Sequence, residues 1–380
     1  MIRDVNAWTG IDTTTIGLWL AVLLIGITMV GSASMEMSLA AHGGAFDFAL
    51  KHAVTVLGSM VLALGSMLVP LAAWQKYGRL LFLLGVLLLV LLLVPGLGHE
   101  VNGATRWLDL RVFTVQPSEL MKVFFIVFVA RHLALTHKEL GSVQQLARLM
   151  VALAGTAALL LLEPDFGSAV VLAATTFGIL LLAGAGLGHL SVLGAIGGTA
   201  FALLIVFQPY RLQRLGTFRD PWADEYGSGY QLTQALIAFG RGEWFGLGLG
   251  DSVQKLFYLP EAHNDFLFAV IAEETGMVGA TIVIALLLAI AIRMLLLGRR
   301  AELRGHRFAA YVAYGIGCLI GTQTLINVGV NTGLLPTKGL TLPFVSYGSN
   351  SLIASGVLIG LVLRVHWELA YPPERAHRVR

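Results

Sequence analysis

Of the 380 residues, 57% are hydrophobic and 12% charged, with a formal net charge of +3 and a mean hydropathy of +0.79. Soluble domains carry about 25% charged residues, so the composition excludes a water-soluble fold and points to one bundle with lipid as its solvent. The pI near 9.0 arises from basic residues gathered in a few loops, a pattern that does not imply nucleic acid.

Taken in chain order, ten apolar runs approach the roughly 17 to 25 residues that cross a bilayer. They are residues 16–35, 49–69, 80–95, 119–135, 146–162, 166–183, 190–207, 266–297, 308–330 and 346–366. The first contains Gly31, Ser32, Ala33 and Ser34, which imitate a cleavage site, yet its apolar character continues toward Met35 and it is expected to remain as an uncleaved helix. Cys318, the single cysteine, lies inside the ninth run, so no disulfide framework and no cysteine metal site are expected. The expected fold class is all-α, a polytopic membrane helical bundle of about ten transmembrane helices. It forms one domain over 1–380, with a long extracytoplasmic loop at 208–264 between the seventh and eighth helices and a cytoplasmic tail at 367–380.

The basic segments 75–79, 131–148, 293–307 and 364–380 fall on one side of such a bundle, and the positive-inside rule makes that side cytoplasmic, with both termini. The opposite face carries segments 99–118, 208–264 and 331–345. Long loops are usually functional, so any chemistry is expected there. Within the longest, Leu232, Ala235, Leu236 and Phe239 recur at i, i+3, i+4 and i+7, which predicts an amphipathic helix over 230–240, at the membrane surface or as a packed cap.

Charged residues at or inside membrane ends are costly and need reasons; here they are Glu119, Lys122, Asp165, Asp265, Glu273 and Glu274. Glu119 and Lys122 share a helix face at i, i+3. A structural ion pair with Ser118 as N-cap and a role lining a polar pocket are equally open. Asp165 and Asp265 each stand before an apolar run, where Asp is a favoured cap. Capping suffices for Asp165. Asp265 clusters with Glu261 and His263 at the outer mouth, beside the loop carrying Lys255, and a carboxylate there can act as general base toward a substrate hydroxyl.

Gly246-Leu247-Gly248-Leu249-Gly250, with Arg241 before it and Lys255 after, offers amides and cations of the kind that suit a pyrophosphate, although a plain hinge is the reading these residues favour. Arg106-Trp107 and the following Leu108, Leu110, Val112 and Phe113 form an amphipathic strip, either an interfacial anchor or the wall of a substrate groove. His42, His52, His99 and His263 lack ligand spacing, so no structural metal is expected.

Four blocks in order carry a resemblance: Gln116-Pro117-Ser118-Glu119 with Lys122; Glu163-Pro164-Asp165-Phe166-Gly167; Leu259 to Asp265 followed by Ala272-Glu273-Glu274; and Pro343-Phe344-Val345-Ser346-Tyr347-Gly348. Over nearly its whole length the chain resembles the SEDS family (shape, elongation, division and sporulation). Ser252-Val253-Gln254-Lys255-Leu256 and the stretch Leu335 to Pro343 resemble its division branch rather than its elongation branch. The resemblance implies a peptidoglycan glycosyltransferase of the bacterial inner membrane, polymerising lipid II into β-1,4-linked strands at the division septum, with its active site on the periplasmic side. It implies Asp265 as the essential acidic residue, Glu119, Lys122 and Asp165 as a polar pocket, and Arg106 and Trp107 on its rim. Lys255, Glu261, His263 and Ser346 join the substrate-binding candidates. Pyrophosphate charge would be met by Lys122, Arg211, Arg214, Arg241 or Lys255, or by a loosely bound divalent cation, Mg2+ or Mn2+. The expected partners are a class B penicillin-binding protein transpeptidase and other divisome membrane proteins. A lipid II flippase and a non-catalytic divisome scaffold are the rival readings. The chain departs from the family at Asn264, usually Thr, and at Ser349-Asn350, usually Gly-Ser.

Overall fold

The computed structural model describes residues 10–101, 104–109, 114–137, 142–207, 218–336 and 339–371. Leu110, Val112, Phe113, Arg211, Arg214 and the end of the tail lie outside them. Among the described residues the chain runs α1 (Thr13–His42), α2 (Asp47–Leu68), α3 (Leu71–Leu92), β1 (Gly98–Val101), β2 (Ala104–Asp109), β3 (Thr114–Val115), α4 (Pro117–Leu135), α5 (Val143–Leu162), α6 (Phe166–Leu182), α7 (Leu187–Val206), α8 (Tyr230–Gly242), α9 (Leu267–Leu303), α10 (Arg307–Asn331) and α11 (Ser349–Ala370). Seven of these helices (α1, α2, α3, α5, α9, α10 and α11) are long and apolar enough to cross a membrane, and α6 is a shorter apolar helix. The chain is a multi-pass membrane protein, and each of the ten expected runs falls on a helix.

Two boundaries differ from expectation. Helix α3 starts at Leu71, so residues 75–79 are its first turns and not a loop; Val69-Pro70 alone turns the chain, and Trp74 and Tyr77 continue the helical surface. Segment 99–118 contains a small antiparallel sheet, β1-β2-β3, pairing His99 with Trp107 and Leu108 with Val115. Strand β2 rests on α3 and α4 at the end of the bundle where α4 begins. The amphipathic helix expected at 230–240 is α8, which packs on α9 with Leu232, Ala235 and Ala238 buried.

Helix α10 is the centre, touching α4, α6, α9 and α11, with Ala310, Tyr311, Val312 and Ala313 fully enclosed. Between helices in lipid there is no hydrophobic drive to associate, so close backbone approach and interhelical hydrogen bonds carry the packing. The α2–α11 pair illustrates this. A Cβ on Gly356 would stand 2.4 Å from the Ser59 carbonyl, and one on Gly360 2.1 Å from that of Ala63. Ser59 and Ser66 then donate across the seam to the carbonyls of Leu352 (2.8 Å) and Val357 (3.2 Å). Leu50, Val54, Leu57, Val61 and Leu64 on the other face of α2 are exposed, as a lipid-facing surface requires.

Candidate active site

Asp265 stands where the start of α9 meets the end of α10 and the segment before α11. This residue is half-buried and sits two positions before α9, whose N-cap is Phe266, so it does not cap the helix. Its carbonyl leaves the helical ladder: Asn327 and Asn331 of α10 both donate to it, each at 3.0 Å. The amide of Ala269, one of the orphan donors at a helix start, finds the Asn331 side-chain oxygen at 3.2 Å. Asn327 also donates to the Leu340 carbonyl (2.5 Å), and Gln323, one turn earlier, to that of Thr341 (3.3 Å). Gln323, Asn327 and Asn331 thus form a buried amide ladder at i, i+4 and i+8. It joins Asp265 to the segment before α11. Gly339 in that segment faces the carboxylate, where a Cβ would lie 2.8 Å from Oδ2. The ladder's signal in the sequence is three carboxamides on one face of an apolar run, costly in a membrane unless partnered.

Glu119 and Lys122 form a 2.7 Å ion pair with side chains 10% and 2% exposed. Ser118 does not cap α4. Gln116 occupies the cap with Pro117 in the first turn, where its missing N–H costs nothing, and the Ser118 hydroxyl accepts from the Gln116 side chain at 3.2 Å. Asp165 does cap α6, accepting from the Ser168 amide at 3.1 Å, while its second oxygen is buried without a partner. Arg106, half-exposed on β2, donates to the Pro164 carbonyl, and its Nε has no partner. Trp107 is half-buried beside it. Glu163, fully enclosed in the turn between α5 and α6, has both oxygens unpartnered; burial, then the Asp165 carboxylate, push its carboxyl up to about 8, against a smaller opposing effect of Arg106.

His263 is buried, its ring 5.7 Å from Phe48 and 5.4 Å from Tyr347. Burial holds the imidazole below its usual range, opposed by Glu261. Glu261 itself is exposed, 3.5 Å from the Asn264 amide. Ser346 is a turn element: its hydroxyl accepts from the Leu342 amide at 3.0 Å, and it is 3% exposed.

Lys255 is likewise committed. Its three protons go to Glu274 (2.8 Å), Ser32 (2.9 Å) and the Gly250 carbonyl (2.6 Å), leaving none for a pyrophosphate. Arg241 pairs with Glu273 at 3.2 Å, and Glu273 also accepts from Ser252 and the amides of Val253 and Gln254. The glycine-rich loop has a different use from a phosphate cradle. Helix α9 breaks at Gly276 (φ 67°), and the loop mends it. Leu247 and Gly248 donate to the carbonyls of Glu273 and Glu274, both at 3.0 Å, while Met277 and Val278 donate to those of Glu243 (2.9 Å) and Trp244 (3.2 Å). Backbone groups freed inside a bilayer demand such partners. Among the described residues no group of three or more His, Cys, Asp or Glu could hold a metal ion.

Comparison with known proteins follows the same lines. A family model described as cell cycle protein, covering FtsW, RodA and SpoVE, matches residues 12–371. A probable peptidoglycan glycosyltransferase FtsW of Nitrosococcus halophilus is 49% identical over 361 residues, 95% of this chain and 93% of that protein. That of Coxiella burnetii is 46% identical, covering 96% of each. Among solved structures, a chain of a peptidoglycan synthase complex described as coordinating polymerization and crosslinking superposes with a TM-score of 0.78 at 27% identity, covering 96% of this chain and all of that one. The rod shape determining protein RodA of Thermus thermophilus superposes at 0.71 with 27% identity, over 95% and 98% of the two chains.

Proposed function

The chain belongs to the cell cycle protein family of FtsW, RodA and SpoVE, and from that premise we infer that it is a peptidoglycan glycosyltransferase that polymerises lipid II into β-1,4-linked strands for the division septum. The observation that carries the mechanism is a half-buried carboxylate, Asp265, facing a glycine at the end of the bundle where the loops gather.

The donor sugar leaves from an undecaprenyl pyrophosphate, already a competent leaving group, so no carboxylic acid need protonate it, unlike glycoside hydrolysis with its paired acids. Asp265 accepts the proton of the acceptor 4-hydroxyl as that oxygen attacks the donor anomeric carbon. The bond to the pyrophosphate breaks, the configuration inverts, and base catalysis contributes roughly 10² to 10⁴ in rate. Of the cations expected at the pyrophosphate, Lys122 and Lys255 are held in buried pairs and Arg241 pairs with Glu273, while Arg106, expected only on the pocket rim, keeps an Nε without a partner. A divalent ion, Mg2+ or Mn2+, would arrive with the pyrophosphate itself, as such ions are commonly held by substrate phosphates and few carboxylates.

The active site faces the periplasm and both termini the cytoplasm. In support, Lys76, Arg79, Arg131, Arg148 and Arg304 all sit at helix ends opposite Asp265. A class B penicillin-binding protein is the proposed partner at the septum, among other divisome membrane proteins, a reading supported by the likeness to a synthase complex.

The break in α9 favours a second reading, lipid II transport, because discontinuous helices mark transporters. Here the loop satisfies the freed groups, which removes the need for a substrate to do so. The deciding experiment assays purified Asp265→Asn for glycan polymer from labelled lipid II, with and without the transpeptidase, beside a liposome transport assay. Polymerisation should fall by roughly 10² or more with transport unaffected. Undiminished polymer from folded Asp265→Asn would refute the base assignment, and wall synthesis surviving Asp265→Ala would favour a scaffold.

A further inference from the structure

The amide ladder on α10 reaches Asp265 through its backbone carbonyl and not through its carboxylate. Its geometry is unusual for a helix start. In an ordinary first turn the carbonyl of Asp265 would accept from the Ala269 amide; here that amide bonds to the Phe266 carbonyl (3.0 Å) and the Asn331 side chain (3.2 Å). The carbonyl of Asp265 is left for two carboxamides, both from α10. Asn331 in turn donates to the Asn327 carbonyl (2.9 Å), which fixes its orientation with the oxygen toward Ala269. Both asparagines are at most 2% exposed, so water cannot replace these bonds.

We propose that Asn327 and Asn331 are positioning residues that hold Asp265 out of the α9 helix, so that its carboxylate stands over Gly339. This rests on the reading of Asp265 as the base. The same Asn327 amide holds the Leu340 carbonyl, so one side chain sets the distance between the carboxylate's backbone and the glycine opposite it. Gly339 completes the arrangement by having no side chain. Its own backbone does not require glycine, since its φ lies outside the left-handed region; the space before Oδ2 does. A one-ångström misplacement of a catalytic group costs about 10²-fold in rate, which is the scale on which a positioning residue is expected to act.

The test measures kcat and KM for lipid II with the full chain in complex with its transpeptidase, for Asn327→Asp, Asn331→Asp and Gly339→Ala. The aspartates keep shape but replace a donor with an acceptor aimed at a carbonyl. Each variant should lose at least tenfold in kcat with KM changed less than threefold, because the sugar-binding surface is untouched. A merely structural role predicts less folded protein with unchanged kcat per folded molecule, and that result would overturn the proposal. Should the asparagine variants fail to fold, Gly339→Ala decides from the exposed side. Its methyl displaces the carboxylate without disturbing the ladder, and wild-type kcat there also overturns the proposal. Asp265→Asn run in parallel separates the two claims: full activity of that variant removes the base, whereas an inactive Asp265→Asn beside fully active Asn327 and Asn331 variants removes only the positioning.

Discussion

Replacing Lys122 with Met removes the ion-pair partner of a carboxylate that sits 10% exposed at the start of α4, 2.7 Å from the lost ammonium. Breaking a buried pair by deleting one member costs about 3–5 kcal/mol, because the remaining charge is stranded; replacing both with apolar groups of similar volume is near neutral. With about 2 °C per kcal/mol for a chain of this size, Lys122→Met should lower the apparent melting temperature in detergent by about 6 to 10 °C. Lys122→Met combined with Glu119→Leu should recover most of it. The exchange variant Glu119→Lys, Lys122→Glu keeps the pair but reverses it against the helix dipole, a loss of about 0.3–1 kcal/mol. It should therefore melt near the wild type. If the pair lines the sugar pocket, the exchange variant restores stability without restoring lipid II polymerisation. A single Lys122→Met that melts like the wild type would refute the desolvation argument, and an exchange variant with full polymerisation would reduce the pair to a structural bond.

Gly246→Ala should be among the most damaging small changes, since its Cβ would lie 2.2 Å from the Glu274 carbonyl at φ +80°. The loop would leave the break in α9, and a loss of at least about 3 kcal/mol is expected, seen as lost monodisperse protein and a lower apparent melting temperature. Glu163→Gln tests the enclosed carboxyl. Its folded value near 8 lies above the unfolded 4.5, so the native state binds a proton that the unfolded state has released. That contribution is complete below about pH 4.5 and is lost as pH rises toward 8, at about 1.4 kcal/mol per unit. Melting measured from pH 5 to 8 should fall more steeply for the wild type than for Glu163→Gln; parallel curves would show that Glu163 is ionised throughout. Arg293→Leu removes the guanidinium from Asp12, 3% exposed at the start of α1, which keeps its bonds from the Thr15 amide and hydroxyl, and should destabilise by up to about 3 kcal/mol, whereas Asp12→Asn with Arg293→Leu should cost less.

Local physics made much of the fold legible. Apolar runs at bilayer length mark their helices because lipid tolerates few alternatives, and Leu232, Ala235 and Phe239 marked α8 because amphipathic spacing is a short-range property. Asp165 could be recognised as a cap for the same reason: capping involves residues three apart. Ser118 was misplaced because Pro117 favours the first helical position and moves the cap to Gln116. The sheet at 98–115 was missed because strands this short leave no periodicity.

The chemistry of individual charged residues was decided across long separations in sequence. Lys255 looks like an available cation until Ser32 and Glu274 are brought to it from α1 and α9. The glycines at 246–250 look like a phosphate loop until the break at Gly276, nearly thirty residues on, claims their amides. Ser346 looks like a contact until Leu342 turns onto it. By itself, then, the sequence determined that this is a membrane bundle, which ends carry its charges, and that Asp265 stands at a helix end, since hydropathy and charge act through solvent and need no partner. Which side chains are spent on the fold and which stay open to a substrate was decided by tertiary structure, because a hydrogen bond or ion pair exists only once two distant segments meet. Asp265 is held beside Gly339 by amides sixty-two and sixty-six residues away, a relation no local pattern contains.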